Sequence, residues 1–221
     1  MINFKDQKVV FLGQMEYEKC LQLQKELHDL VSRDQHGSVV LIVEHPPTIT
    51  CGYQSNKSSL KVAEEVLESQ NIKFIETDRG GDMTAHEPGQ LVIYPIFNLG
   101  GSAKGLIGPK TFVGILESTI IDWLANLGVS ATIDPLNPGV WVSSKKIAAV
   151  GIRIKNRTTY HGISINIFNN LRTFSFIVPC GLKEKEVTSL KALTGTFVNL
   201  EETGRCLGEK IYNAVFSDIN A

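Results

Sequence analysis

The sequence predicts an α/β protein of the α+β type, with a largely antiparallel mixed sheet flanked by helices. Three observations support this class. A strongly amphipathic pattern at 109–127 is typical of a helix that covers a sheet, a run of short strand-like segments follows it, and further helical patterns stand near both ends of the chain. Because short turns join the strand-like segments, antiparallel pairing is favoured.

The first half of the chain alternates helical and strand-like patterns. From Tyr17 onward, apolar residues recur near helical spacing until Gly37, which predicts an amphipathic first helix. The β-branched run 38–44 predicts a strand that ends where two prolines follow. A second helix is predicted over 62–71, and residues 72–77 predict the next strand.

The second half begins with segment 90–97, which is apolar on both faces and predicts a buried strand. Pro95 argues against a central position for this strand, because proline cannot donate a hydrogen bond to a neighbour. The best helical pattern follows, with Pro109 in its first turn and Gly128 at its end. Further strands are predicted over 140–142, 146–154, 158–167 and 173–178. Asn199, followed by Glu202, resembles a capping box for the last helix.

Composition and charge exclude several classes of function. The 221 residues carry 22 Lys and Arg against 23 Asp and Glu, a formal net charge of −1, so no long-range field attracts a polyanion. No segment approaches the roughly 18 consecutive apolar residues of a membrane span. We therefore expect one domain over residues 1–221, located in the cytoplasm and acting as a monomer, with no nucleic-acid or membrane partner.

The sequence has no motif for nucleotide or metal chemistry. The glycine-rich stretch 100–105 continues with Leu106, where a phosphate-binding loop needs lysine and then serine or threonine. His86 and Glu87 begin a zinc-protease pattern, but a proline follows them and no second histidine stands at helical spacing. We therefore expect neither a metal nor another cofactor.

Cys180 is the cysteine best placed for chemistry. It stands between a proline and a glycine, directly after a strand-like segment, where a side chain can face a cleft. Cys20 and Cys206 fall within helical patterns and are interpreted as core residues, whereas Cys51 stays open as a second candidate. A free thiol has a pKa of about 8.5, so a nucleophilic role requires a nearby cation or base.

Three candidates could activate such a thiol, and spacing alone does not choose among them. His86, His161 and the Lys145-Lys146 pair all stand in or beside strand-like segments. The alternative is structural, because a lysine pair usually forms a solvated turn and a lone histidine often completes a hydrogen-bond network. Glycines concentrated at the strand ends favour the functional interpretation, since their backbone N–H groups can approach a substrate closely.

Several blocks of residues stand in a specific order along the chain. The blocks are Glu44-His45-Pro46-Pro47, Arg79 to His86, Pro88-Gly89-Gln90 with Tyr94-Pro95, Pro138 to Val142, Lys145 to Arg153, His161-Gly162 with Asn166, and Pro179-Cys180-Gly181. In this order they resemble the lipoyl(octanoyl) transferase family, from about residue 40 to residue 182. An ordered set of blocks is far more specific than any single motif.

The resemblance implies a fold like the catalytic domain of biotin and lipoate protein ligases. It also implies transfer of an octanoyl or lipoyl group from acyl carrier protein to a lysine of a lipoyl domain, in 2-oxoacid dehydrogenase complexes or the glycine cleavage H protein. Cys180 would form the acyl-thioester intermediate, and Lys146 would lower the pKa of its thiol and move protons. The substrate-binding residues that the resemblance implies are Arg79, Gly80, Gly81, Asp82, Met83, Thr84, Ala85, His86, Ala149, Val150, Gly151, His161, Gly162, Ile163 and Ser164.

One position departs from the family pattern. The family usually has His-Gly-Pro-Gly-Gln, and here Glu87 takes the place of the first glycine. If the backbone at this position needs a positive φ or a close approach, we expect Glu87 to cost roughly 1 kcal/mol or more in strain. We also expect it to add a carboxylate near the acyl-binding residues.

Two alternatives compete with the transferase interpretation. An ATP-dependent lipoate or biotin ligase with this fold would activate a free acid, but adenylate chemistry needs no nucleophile such as Cys180. A non-catalytic acyl-binding protein, with a site spoiled by Glu87, would form no covalent adduct.

Overall fold

Two sheets and five helices make up the part of the chain that this computed structural model describes, which is residues 7–55, 59–101, 105–178 and 186–217. The strands are β1 (Val9–Gln14), β2 (Val39–Glu44), β3 (Thr48–Cys51), β4 (Lys73–Glu76), β5 (Met83–His86), β6 (Gln90–Ile96), β7 (Thr132–Ile133), β8 (Gly139–Val142), β9 (Lys145–Lys155), β10 (Thr158–Asn166) and β11 (Glu186–Val187). The helices are α1 (Tyr17–Ser32), α2 (Glu64–Ser69), α3 (Pro109–Asn126), α4 (Leu190–Thr194) and α5 (Leu200–Phe216).

The larger sheet is mixed and mostly antiparallel, as predicted. Its strands follow the order β1-β2-β6-β10-β9-β8-β7, and β11 pairs with the beginning of β9. Among its described strands, the β1–β2 and β11–β9 pairs are parallel and the other pairs are antiparallel. The smaller sheet has the order β4-β3-β5. The predicted fold class is therefore confirmed.

Helices cover both faces of the larger sheet because its central strands are apolar on both sides. Val40 and Ile42 of β2 pack in one core cluster with α5 residues such as Leu207. The alternate residues of β2, such as Leu41, pack in a second cluster with Cys20 of α1. Since successive side chains of a strand point to opposite faces, α1 lies on one side of the sheet and α5 on the other.

Strand β6 has a central position in the larger sheet although it contains Pro95. The prediction that this proline disfavours a central position is therefore wrong. Strand β6 pairs with β2 on one side and with β10 on the other. The Pro95 carbonyl oxygen accepts a hydrogen bond from the Thr159 hydroxyl of β10 (2.6 Å). Because the nitrogen and the carbonyl of one strand residue face the same neighbour, the Pro95 nitrogen, which carries no hydrogen, also faces β10. On that side regular pairing ends at Ile93 with Ile163, and the proline therefore interrupts no ladder bond.

Residues 173–178 do not form the predicted strand. Thr173–Phe176 is a short 3-10 helix, and Ile177 makes an isolated bridge with Leu60. Phe174 and Ile177, three positions apart, are both buried in the core of the smaller sheet, and this spacing fits one tight helical turn. The other predicted strands and helices coincide with observed elements to within a few residues, and Asn199 caps α5 as predicted.

His45 connects the end of β2 to the residue before the N-cap of α1 and to β6. Its Nδ1 donates to the carbonyl oxygen of Met15 (2.7 Å), and its Nε2 accepts from the hydroxyl of Tyr94 (2.9 Å). The neutral imidazole, with its proton on Nδ1, satisfies both partners. Burial is the main cause that lowers the pKa of His45 from 6.5 to about 4.

We expect the protein to lose stability as the pH falls from 6.5 toward 4. In this window the unfolded chain binds a proton at His45 that the folded protein excludes, so the free energy of unfolding falls by about 3 kcal/mol once the pH is below the folded pKa. Urea unfolding near neutral pH and near the folded pKa measures the change. A His45→Gln variant has no titrating ring, so its stability should vary less with pH. Equal slopes for both proteins would contradict this origin.

Candidate active site

A cavity of about 370 Å³ opens on the α1 side of the larger sheet. Strands β5, β6, β9 and β10, the start of α1 and the turn before β5 form most of its wall. The predicted substrate-binding residues that line it are Arg79, Gly80, Gly81, Asp82, Met83, Thr84, His86, Ala149, Val150, Gly151, His161, Gly162, Ile163 and Ser164. Ala85 lies elsewhere, because it packs with Ile49 in the core of the smaller sheet. Lys146 also lines the cavity.

Small side chains on neighbouring strands leave the space for this cavity. Ser164 of β10 pairs with Val92 on one side and with Ala149 on the other, and Gly162 pairs with Gly151. Paired residues share a face of the sheet, so these positions form one continuous floor under the cavity. An apolar chain on this floor would contact methyl groups and backbone rather than long side chains.

Gly162 is required by the close approach of β10 to β6. A Cβ atom at this position would lie 2.0 Å from the carbonyl oxygen of Ile93, a distance that no side chain tolerates. The preceding residue, His161, has a φ of +57°, in the left-handed region that non-glycine residues seldom adopt. The His161-Gly162 pair therefore marks a distorted point of β10, and such strain is typical of residues held in place at a functional site.

A β-bulge in β9 directs Lys146 to the cavity. Val140 of β8 pairs with Ala148, but Trp141 pairs with Lys146, so Ile147 is an extra residue in β9. Ile147 and Ala148 consequently both pack in the main core. In a regular strand Lys146 would share the face of Ala148 and point into that core. The bulge instead places Lys146 in the cavity wall.

The Lys146 ammonium is held inside the protein. The residue is only 5% exposed, and its Nζ donates to the carbonyl oxygen of Pro138 (3.1 Å) and lies 4.8 Å from the ring centre of Trp141. The nearby carboxylate of Glu117 accepts a hydrogen bond from the Gly139 N–H (2.7 Å). Burial raises the pKa of Glu117, while that hydrogen bond and the charge of Lys146 act in the opposite direction.

Lys145, the neighbouring lysine, is a surface residue. Its side chain is about half exposed, and its Nζ lies 2.6 Å from the carboxylate of Glu186. The structural alternative of a solvated lysine pair therefore describes Lys145 and is wrong for Lys146.

Cys180 lies outside the described residues, and the described chain approaches the cavity on both sides of it. Val178 donates its N–H to the Ser59 carbonyl oxygen (2.7 Å), and the Ser59 hydroxyl donates to Asp82 (2.9 Å) in the cavity wall. On the other side, Val187 of β11 pairs directly with Lys146. The described residues on either side of 179–185 therefore lie next to the cavity.

The turn that carries Arg79 and Gly80 is fixed from two sides. The Arg79 guanidinium donates to the hydroxyl (3.0 Å) and the carbonyl oxygen (2.6 Å) of Thr50 in the smaller sheet. The Gly80 N–H donates to the carbonyl oxygen of Ile152 in β9 (3.0 Å). The turn therefore joins the two sheets where it lines the cavity.

The two histidines of the cavity wall contact other side chains of the protein. His86 Nδ1 lies 2.7 Å from the amide oxygen of Gln90. His161 Nε2 lies 3.0 Å from the carboxylate of Asp78, and its Nδ1 lies 3.4 Å from the hydroxyl of Tyr17. Burial is the main cause that lowers the pKa of both histidines. Both imidazole rings are therefore neutral near neutral pH.

His161 and Lys146 stand at opposite ends of the cavity wall. His161 pairs with Ile152, which follows Lys146 by six positions along β9, and the bulge at Ile147 makes this separation shorter than the about 20 Å of a regular strand at about 3.3 Å per residue. The described chain that flanks Cys180 returns beside Lys146. Which of the three candidate activators faces Cys180 stays a prediction, because Cys180 lies outside the described residues.

Part of the cavity wall consists of residues that were not predicted from the sequence. The residues concerned are Tyr17, Gln54, Val92, Tyr94, Val113, Leu136, Asn137, Pro138 and Ile152. Tyr94, Pro138 and Ile152 stand within the blocks that carry the family resemblance, and that position was the available signal for them. Tyr17 has no such signal, because it resembles the ordinary start of an amphipathic helix.

Glu87 does not meet the condition on which backbone strain was expected, and its carboxylate does not line the cavity. It is not among the residues with a left-handed φ, nor among those that line the cavity. Its carboxylate instead accepts hydrogen bonds from the side chain of Asn169 (2.9 Å) and from the N–H groups of Leu171 (2.6 Å) and Thr173 (2.9 Å).

The described ranges contain no group of three or more His, Cys, Asp or Glu side chains placed to hold a metal ion. No helix in the same ranges combines the length and apolar character that a membrane crossing needs.

Solved structures with similar folds include a lipoate-protein ligase and a biotin protein ligase. A lipoate-protein ligase A bound with ATP superposes with a TM-score of 0.73 at 12% identity, covering 95% of this chain and 86% of that one. A biotin protein ligase from Aquifex aeolicus, in complex with biotin and ATP, superposes with a TM-score of 0.55 at 12% identity, covering 92% and 68%. At this identity the likeness establishes the fold alone, and it confirms the ligase-like fold that the sequence predicts.

Sequence similarity is much higher to enzymes of one kind. The family model of the lipoyl protein ligase A/B catalytic domain matches residues 16–211. An octanoyltransferase of Alkaliphilus metalliredigens is 43% identical over 188 residues, which are 85% of this chain and 85% of the relative. The chain therefore belongs to the lipoyl protein ligase A/B catalytic-domain family, among its octanoyltransferases, and is an acyltransferase.

Proposed function

We propose that this chain, as one catalytic domain, moves an octanoyl or lipoyl group from acyl carrier protein to a lysine of a lipoyl domain, through a thioester on Cys180. Lys146 is the proton-transfer partner of Cys180 in this reaction. The observation that carries the proposal is the buried Lys146 ammonium in the wall of a cavity with a floor of small side chains. Similarity to octanoyltransferases supports the same reaction.

In the first step, the Cys180 thiolate attacks the carbonyl carbon of the acyl-carrier thioester. The bond from that carbon to the carrier sulfur breaks, and the leaving thiolate takes a proton from the Lys146 ammonium. One thioester replaces another, so the step is near energy balance and needs no ATP. A neighbouring ammonium also favours the thiolate form of Cys180, because an opposite charge stabilises the charged state of a thiol.

In the second step, the amine of the acceptor lysine attacks the Cys180 thioester. The bond from carbon to the Cys180 sulfur breaks and an amide forms. The attacking amine loses its proton to the neutral Lys146 amine, which restores the starting ammonium–thiolate pair. A single buried lysine can therefore serve as acid in one half-reaction and as base in the other.

The cavity floor supplies the binding energy for a medium acyl chain. An octanoyl group has several more methylene groups than acetyl, and at about 0.8 kcal/mol for each buried methylene they contribute on the order of 5 kcal/mol. Ala149, Gly151, Gly162 and Ser164 leave room for these groups along the sheet. We propose that this apolar contact excludes short acyl groups.

The proposed acceptors are the lipoyl domains of 2-oxoacid dehydrogenase complexes and the glycine cleavage H protein, and the proposed donor is octanoyl-acyl carrier protein. An ATP-dependent ligase reaction is the alternative. Incubation with free octanoate, ATP and a lipoyl domain separates the two reactions. Product from this mixture, but not from octanoyl-acyl carrier protein, would contradict the transferase proposal.

We expect wild-type protein mixed with octanoyl-acyl carrier protein to gain the mass of one octanoyl group, in a form that a thiol reagent cleaves. Cys180→Ala should lose this adduct completely, because no other thiol is proposed to carry it. Intact-mass spectrometry measures both results. Cys51→Ala is the matched control and should keep the adduct. An adduct that persists in Cys180→Ala and disappears in Cys51→Ala would overturn the assignment.

We expect Lys146→Ala to raise the pH at which Cys180 reacts with iodoacetamide, because the thiolate loses its neighbouring cation. The rate of octanoyl transfer should fall by about 10²-fold or more, the usual effect of removing a general acid–base group. Alkylation rates across a pH series, followed by mass spectrometry, measure the first effect. Lys145→Ala, which removes the exposed neighbour, is the control and should leave the profile unchanged. An unchanged profile in Lys146→Ala would contradict its role.

We expect Ala149→Leu to change the preferred length of the acyl chain. The added carbons occupy the space of roughly three methylene groups on the cavity floor, so the kcat/KM for octanoyl transfer should fall about 50-fold relative to butyryl transfer. Competition between octanoyl and butyryl carrier proteins measures the ratio directly. A parallel loss with both donors would show that the variant damages the fold rather than the length preference.

A further inference from the structure

The four-residue turn at 87–90 holds a long segment of chain that leads to Cys180. We infer that Glu87 is a positioning residue, whose carboxylate fixes residues 169–173 and through them the approach to Cys180. The inference rests on the proposed function, because it assumes that Cys180 is the nucleophile. It assigns a role to the position at which this chain departs from the usual family glycine.

The Glu87 carboxylate is buried and bonded on both oxygens. The residue is 4% exposed. Its Oε1 accepts from the side-chain amide of Asn169 (2.9 Å) and from the N–H of Leu171 (2.6 Å), and its Oε2 accepts from the N–H of Thr173 (2.9 Å). A buried carboxylate is tolerated only when donors replace the lost water, and all three donors come from one segment.

The backbone of the same turn also binds that segment. The Gln90 N–H donates to the Glu87 carbonyl oxygen (3.1 Å), and Gly89 has a φ of +89°, as a type II turn with proline before glycine requires. The Gly89 carbonyl oxygen in turn accepts from the N–H of Phe168 (3.0 Å). A Cβ at Gly89 would lie 2.7 Å from the backbone nitrogen of Asn169, so the turn at 87–90 and the segment at 168–173 are in direct contact.

The Glu87 carboxylate stabilises an unusual backbone conformation at Leu171. Its φ is +64°, a left-handed conformation that is costly for leucine and persists only when surrounding contacts impose it. The short hydrogen bond from its N–H to Glu87 is such a contact. Without an acceptor at this place, the partly buried Leu171 N–H would lose this partner and the turn would relax.

The chain that follows Thr173 is held by further contacts as far as Val178. After Thr173, Phe174 and Ile177 are buried in the core of the smaller sheet, and Val178 donates its N–H to the carbonyl oxygen of Ser59 (2.7 Å). Val178 is two residues before Cys180 in the sequence. We infer that a shift of the chain at 171–173 is carried as far as Val178, the last described residue before Cys180, and a displacement of about 1 Å at a reacting group can cost on the order of 10²-fold in rate.

Two substitutions separate charge and hydrogen bonding from simple packing. Glu87→Gln keeps the size of the side chain but turns an NH₂ group toward a backbone N–H, because both carboxylate oxygens accept from donors. Glu87→Gly restores the usual family residue at a turn that retains Pro88 and Gly89, and it serves as the second variant if Glu87→Gln does not fold. Glu44→Gln is the matched control, since Glu44 accepts from the Gly89 N–H (2.8 Å) on the other side of the same turn.

The experiment combines hydrogen exchange with single-turnover acylation. In both Glu87 variants we expect the amides of residues 168–173 to exchange about tenfold faster or more, and the acylation of Cys180 by octanoyl-acyl carrier protein to slow by about tenfold to 10²-fold, with the KM for the donor changed less than about twofold. Glu44→Gln should keep the wild-type acylation rate.

The outcomes distinguish this inference from the proposed function. Acylation of the Glu87 variants at the wild-type rate, or unchanged exchange at 168–173, would overturn the role of Glu87 while leaving the transferase proposal intact. A wild-type protein that forms no adduct on Cys180 would instead overturn the proposed function itself. A higher KM for the donor with an unchanged acylation rate would place Glu87 in donor binding and would also overturn its positioning role.

Discussion

The burial of the Lys146 ammonium is the constraint on which the rest of the site depends. A charged amine is costly to remove from water, and here a carbonyl oxygen and an indole ring replace part of its hydration. The bulge at Ile147 makes this burial possible, because it turns Lys146 out of the apolar core and into the cavity wall. The buried position of this cation in the cavity wall is the observation on which the proposed chemical role rests.

The cavity exists because two sheets meet over a patch of small residues. Hydrogen bonds from the turn at Arg79 and Gly80 connect the smaller sheet to β9, while Gly162 lets β10 pass close to β6. The same architecture occurs in ligases that are bound to ATP, as the structural similarity shows. Similarity of fold therefore does not identify the reaction of this chain, which depends on the side chains of its site.

Much of the fold could be predicted from periodicity, but its distortions could not. The helix at 109–127 could be predicted because one face of α3 is buried. The strands around 146–154 and 158–167 could be predicted because a short turn separates two runs with many apolar and β-branched residues. The 3-10 helix at Thr173–Phe176 resembles a strand in sequence, since its alternate apolar residues fit either spacing. Short elements such as β1, β3, β5 and α4 depend on neighbours for their burial, so local patterns do not reveal them.

The sequence by itself determined the fold class, the family and the identity of the residues that the proposed chemistry needs, because ordered motifs and apolar periodicity are properties of the chain alone. The family resemblance already selected Lys146 rather than Lys145, but only the tertiary structure showed that Lys146 is buried and Lys145 exposed, because the two differ through a bulge that depends on pairing with β8. The tertiary structure also revealed the hydrogen-bond partners of Glu87, which lie more than eighty residues away in sequence. Contacts of that range arise from packing, and no local pattern encodes them.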